Sequence, residues 1–130
     1  MVKTSKLKYT PTHEWVRLDG AKAVVGITDH AQKEISDVVF VELPKENRIV
    51  KQKESATVIE SVKAAFDIYS PLSGKIIRVN DALKDRPELV NQSPYDEGWL
   101  FELECGNPKE CETLLSEQEY HEAKENPSHP

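Results

Sequence analysis

Cysteine is scarce in this chain: Cys105 and Cys111 are the only two. Two cysteines six residues apart exclude a disulfide framework and offer no metal-ligand spacing, so the reduced cytosol is the simplest compartment. Basic residues are outnumbered, 17 Lys and Arg against 23 Asp and Glu, for a net charge of −6. That deficit argues against a nucleic-acid binder, which would need a basic face. No apolar run approaches the ~20 residues that span a bilayer, so no membrane role is expected. The start, Met1 to Lys6, is too short and too polar for a signal peptide, and it lacks an Arg-rich organellar leader. A bacterial cytoplasm is expected, or a mitochondrial matrix if a leader has been trimmed. No repeat is evident, and no helix-period segment is long enough to build a helical core.

What is present is an ordinary soluble composition, 38% hydrophobic and 31% charged, in 130 residues. That length predicts a single domain over 1–130, with 1–6 as a loose leader. His13 to Leu18 and Lys22 to Ile27 read as strands joined at Asp19-Gly20. Thr28 is placed to cap a short helix ending near Ile35, with Asp29 in its first turn. Val38 to Leu43 is a strongly apolar strand stopped by Pro44. A polar segment over 45–55 holds a short strand at Ile49-Val50. A hairpin over 56–69, a turn over 70–74 and a strand over 75–79 follow. The polar connection over 80–98 predicts one helical turn near Pro87 to Val90. Trp99 to Glu104 is the last strand, and it alternates apolar with polar residues. Asn107 with Pro108 opens a C-terminal helix, and Ser116 with Glu119 forms a capping box for a second, reaching about Lys124. Residues 126–130 should fray. Many short strands with helices at the margins predict an all-β or α+β sandwich.

The hairpin carries the first candidate. Lys63 sits at its tip, between Thr57-Val58-Ile59 and Phe66-Asp67-Ile68-Tyr69, flanks rich in strand-favouring residues. A tip lysine points into solvent, and small Ala64 and Ala65 leave room for another protein to close over it. On the hairpin alone, an ordinary surface lysine is the more common reading.

Glu60-Ser61-Val62-Lys63-Ala64-Ala65 resembles the lipoylation site of the glycine cleavage H-protein family. The resemblance runs in one register over about residues 7 to 124. It includes Thr12-His13-Glu14-Trp15-Val16, Val25-Gly26-Ile27-Thr28-Asp29-His30, Val39-Phe40-Val41-Glu42-Leu43-Pro44, Ser70-Pro71-Leu72-Ser73-Gly74, Pro87-Glu88-Leu89-Val90-Asn91 and Gly98-Trp99. It implies a flattened, lipoyl-domain-like sandwich (a barrel-sandwich hybrid) of two antiparallel sheets with C-terminal helices. It also implies a non-catalytic carrier with lipoate on Lys63.

Such a carrier moves an aminomethyl group from a pyridoxal-phosphate glycine decarboxylase to a folate-dependent aminomethyltransferase. A dihydrolipoyl dehydrogenase then reoxidises it, and a lipoate ligase or lipoyltransferase loads it. A monomer with overlapping docking surfaces is expected. The other readings weighed are a lipoyl relay to other complexes, a biotin carrier, a stand-alone enzyme and an unmodified structural descendant. Val62 and Ala64 stand where a biotin carrier usually has methionine.

Within the resemblance, Glu60 is a handle for the lipoate-attaching enzyme; alone, it reads equally well as a solvated carboxylate. Gly74, eleven residues after Lys63, matches a family glycine, and the physical reading is a tight turn of positive φ. Thr12, Glu14 and Asp67 correspond to a cleft that shelters the cargo amine. Glu14 as an exposed strand residue and Asp67 as an edge-strand charge are the competing readings. His13 and His30 lack the neighbours of a nucleophilic or metal site, so neither a catalytic residue nor a metal is assigned. Trp15 and Trp99 read as core, Cys105 and Cys111 as inert thiols, and Glu117, Glu119, Glu122 and Glu125 as a solvated helix face. The family usually has glycine where this chain has Asn47 and Lys53. Asn47 tolerates the left-handed conformation. Lys53 does so less readily, so its turn is expected to be remodelled.

Overall fold

A computed structural model describes residues 7–125, and the expectations for 1–6 and 126–130 lie outside the described residues. Nine strands are described: β1 (Leu7–Tyr9), β2 (Glu14–Asp19), β3 (Lys22–Ile27), β4 (Val38–Glu42), β5 (Ile49–Val50), β6 (Ser55–Ser61), β7 (Ala65–Tyr69), β8 (Gly74–Val79) and β9 (Phe101–Cys105). They form two antiparallel sheets, ordered β1-β2-β3-β9-β8-β5 and β4-β6-β7. The chain is thus mainly β, with short helices at the margins.

Alternation builds the core. In β9, Phe101 and Leu103 are buried while Glu104 is exposed. Beside them lie Val16, Val25, Val41, Ile59, Ile68, Leu72, Ile76 and Leu100. Each large aliphatic chain removed from water there contributes roughly 1.5–3 kcal/mol before its entropy cost. Trp15 is fully buried, and its indole N–H donates to the Pro94 carbonyl at 2.9 Å. Its ring lies across Gly26, where a Cβ would come within 2.5 Å of it. Trp99 is only partly buried and packs beneath the Arg78 guanidinium, 4.6 Å from its ring centroid.

α1 (Asp29–Ile35) begins as its cap predicts, the Thr28 hydroxyl accepting the Ala31 N–H. The connection over 80–98 holds two short helices instead of the one expected turn: α2 (Ala82–Asp85) and α3 (Leu89–Gln92), anchored by buried Leu83, Leu89 and Val90. Asn107 caps a 3₁₀ segment, Pro108–Thr113, where an α-helix was expected. The capping box of α4 (Glu117–Glu125) forms in both directions between Ser116 and Glu119. Tyr120 then fastens α4 to β1 by stacking on Tyr9, with ring centroids 4.7 Å apart.

One strand departs from its pattern. A bulge between Val38 and Phe40 interrupts the β4–β6 register. It leaves Val39 and Phe40 facing solvent, 55% and 51% exposed, on a strand whose sequence is strongly apolar.

Candidate functional site

The β6–β7 hairpin pairs Glu60 with Ala65 and turns through Ser61 to Ala64. Ser61 organises the tip. Its backbone N–H donates to the Ala64 carbonyl at 2.9 Å, and its hydroxyl accepts the Lys63 and Ala64 amides at 3.0 and 3.2 Å. The Val62 amide donates to the Asp37 carbonyl at 3.0 Å, which docks the tip beside the end of α1. Lys63 is exposed. Its Nζ rests 3.3 Å from the Glu34 carbonyl in the last turn of α1. That carbonyl belongs to the electronegative end of the helix, a weak resting place for a cation.

Glu60 lies opposite Ala65 on one side and Phe40 on the other. Asp67 lies opposite Val58, which in turn faces Glu42. Alternation puts all of these on the solvent face of the small sheet. Asp67 is exposed and accepts the Ser55 hydroxyl at 2.8 Å.

A cleft of about 450 Å³ opens at the other end of β7, lined by Thr10, Thr12, Glu14, Tyr69, Pro71 and Leu114 among others. Among the described residues Glu14 is its only carboxylate, and it is 2% exposed, which disposes of the exposed-strand reading. Thr10 and Thr12 donate their hydroxyls to Glu14 Oε1 at 2.5 and 2.6 Å. Burial pushes the Glu14 carboxyl above its ordinary range; these two hydroxyls and the Tyr69 amide oppose the rise without cancelling it. Thr12 and Glu14 therefore meet in one cleft, while Asp67 sits outside it, two residues along the same strand face from Tyr69. Thr10 and Tyr69 were not anticipated. The alternation Thr10-x-Thr12-x-Glu14, which can place three side chains together, was the available signal for Thr10.

Two expectations are corrected. Gly74 does not have positive φ. It opens β8 against β9, where a Cβ would overlap the Glu104 carbonyl, so close strand approach is what excludes a side chain. Lys53 does not remodel its turn. It takes φ 74°, and its amide donates to the Ser70 carbonyl at 2.7 Å. A tertiary hydrogen bond holds the lysine in the left-handed region, as Asn47 is held at φ 73°.

The remaining candidates have structural partners. His13 Nδ1 is 2.7 Å from the Tyr120 hydroxyl, which is 2.8 Å from that of Thr28. His30 Nε2 is 2.7 Å from Glu34. Cys105 and Cys111 are free and half-buried, and burial raises the Cys105 thiol. Among the described residues no histidine, cysteine and carboxylate group could hold a metal ion, and no helix is long and apolar enough to cross a membrane.

The glycine cleavage H-protein family model matches residues 7–127. The glycine cleavage system H protein of Endomicrobium trichonymphae is 60% identical over 114 residues, covering 88% of this chain and 92% of that protein. That of Thermotoga maritima is 55% identical over 115 residues, covering 88% and 93%. The crystal structure of the Mycobacterium marinum glycine cleavage system H protein superposes with a TM-score of 0.80 at 35% identity, covering 95% of this chain and 98% of that one. With a solvent-facing hairpin lysine and a shielded carboxylate cleft on a two-sheet scaffold, the chain belongs to the glycine cleavage H-protein family of non-catalytic lipoyl carriers.

Proposed function

We propose that Lys63 is the lipoyl attachment point. From there the chain carries an aminomethyl group from a pyridoxal-phosphate glycine decarboxylase to a folate-dependent aminomethyltransferase, a dihydrolipoyl dehydrogenase restoring the disulfide. The observation carrying this reading is the exposed Lys63 amine on a tip braced by Ser61 and Asp37. A braced tip presents the amine at a defined place without burying it, which suits a residue that other proteins must reach.

The surroundings fit the group. An acylated lysine extends roughly 14 Å by summed bond lengths. At about 3.3 Å per residue along β7, that reach ends level with Asp67, two residues short of Tyr69 at the mouth of the cleft. When bound, lipoate supplies a disulfide that is reduced as it takes up the one-carbon fragment. The chain supplies the shelter. Glu14, its carboxylate already oriented by the donating hydroxyls of Thr10 and Thr12, offers a negative partner to a cationic amine where water is partly excluded. An amine bound there would draw the raised Glu14 pKa back down. Asp67 gives a second carboxylate on the path from tip to cleft.

Glycine–bicarbonate exchange with the decarboxylase tests the reading. The lipoylated chain should support exchange, and Lys63→Arg, treated identically with ligase, lipoate and ATP, should be silent. Exchange by the arginine variant at the wild-type rate overturns it.

A further inference from the structure

We infer that the outer face of β4 beside the hairpin tip is the docking surface for the enzyme that attaches lipoate; this rests on the reading of Lys63 above. Three exposed apolar side chains converge there. Val39 and Phe40 are turned outward by the bulge, at 55% and 51% exposure, and Val62 on the tip is 68% exposed. The register pairs Phe40 with Glu60 and Val38 with Ser61, and Val62 is bonded to Asp37 just before β4. The register therefore places the three within a few residues of one another on the approach to Lys63. Burying Phe40 would have been the default for an alternating strand. The bulge spends ladder hydrogen bonding to expose an aromatic ring instead.

Lys63 apart, four carboxylates surround this patch. Glu42 and Glu60 on the sheet face, Asp67 beside them and Asp37 at the tip are all exposed. None makes an ion pair with a Lys, Arg or His side chain among the described residues. The complement is a protein surface with an apolar pocket and a cationic rim.

Geometry selects the partner. An enzyme acting on the bare amine must bring its acyl carbonyl to Nζ, about 6 Å from the tip backbone, so it must cover this face. Enzymes that use the finished arm can stand off by its full length. The acyl donor, an ATP-derived acyl adenylate, is a mixed carboxylic–phosphoric anhydride with a negatively charged phosphate, so its enzyme already gathers basic groups at that place. The Lys63 amine, after giving a proton to solvent, attacks the acyl carbonyl. The amide C–N bond forms as the nitrogen gives up its second proton to solvent, the acyl–phosphate bond breaks, and AMP departs with the electron pair.

Attachment to the full chain by a purified lipoate ligase, with free lipoate and ATP, is followed by intact mass. Phe40→Asp should lower kcat/KM for attachment about tenfold or more, the scale of losing an interface anchor. Val62→Asp should lower it in the same direction, and Glu42→Lys less. Ile49→Asp, on a residue 68% exposed in the other sheet, should leave the rate unchanged. Phe40→Asp driven to full lipoylation with excess ligase should then support glycine–bicarbonate exchange normally. Wild-type attachment rates in both Phe40→Asp and Val62→Asp overturn the docking inference while leaving Lys63 intact. A loss confined to the exchange assay also overturns it, by assigning the patch to another partner. No attachment to the wild-type chain at all overturns the reading of Lys63 itself.

Discussion

The two sheets are made of similar residues and put them to opposite uses. In the six-stranded sheet, β3 buries five consecutive residues and β9 alternates regularly, so nearly every apolar side chain is core. In the three-stranded sheet one face closes the core through Val41, Ile59 and Ile68, and the other is left open with Phe40, Glu60 and Asp67. The first sheet is scaffold. The second spends an aromatic residue on its surface, with several carboxylates that make no ion pair among the described residues, where they add little to stability. A group of exposed apolar residues, unlike the lone exposed Ile49 of the first sheet, points to a partner, and this contrast singles out the face around Lys63.

The sharpest way to break that comparison is to truncate one aromatic residue in each sheet. Trp15→Ala should cost about 3–5 kcal/mol, because it empties a fully buried site and orphans the Pro94 carbonyl. Phe40→Ala should stay within about 0.5 kcal/mol. Denaturant titration measures both, and equal losses would mean that Phe40 is packed after all.

A smaller effect separates the cleft from the open face. Folding raises the Glu14 pKa, so the folded chain holds that proton to higher pH than the unfolded chain. The associated stability is complete below the ordinary carboxylate range and is lost as pH rises through the raised value. Glu14→Gln, which keeps an acceptor for Thr10 and Thr12, should therefore melt higher than wild type at pH 7, with the gain vanishing as pH falls to about 4. Tm against pH for Glu14→Gln and wild type decides it.

The smallest expected change is at the turn beside the cleft. Lys53→Gly relieves a left-handed residue and should stabilise by about 0.5–1 kcal/mol once the greater freedom of the unfolded glycine is subtracted. A loss on that substitution would show that packing of the Lys53 stem outweighs its backbone strain.

How much could be read in advance follows the range of the interactions. The Thr28 cap, the Ser116–Glu119 box, the alternation of Phe101 and Leu103 and the lysine at a hairpin tip are local, and each was legible. The short strand β1 was not, because three residues carry little periodicity and it is completed by pairing to β2 and by Tyr9 bonding to Leu115. Gly74 was recognised for the wrong reason, since the Glu104 carbonyl that excludes a Cβ arrives from thirty residues away in sequence. Lys53 misled for the same cause, its partner being Ser70 on a different segment. The cleft drew Thr12 and Glu14 from a readable motif, but Tyr69, Pro71 and Leu114 reach it only through the fold. The bulge that exposes Phe40 leaves no mark in an uninterrupted run of apolar residues.

Peptide mapping by mass spectrometry of the chain after loading with ligase, lipoate and ATP tests the central claim most directly. The account predicts one lipoyl group per molecule, located on Lys63 and absent from Lys63→Arg. A lipoyl group on any other lysine, or a wild-type chain that stays unmodified while a known carrier in the same mixture is loaded, would contradict it.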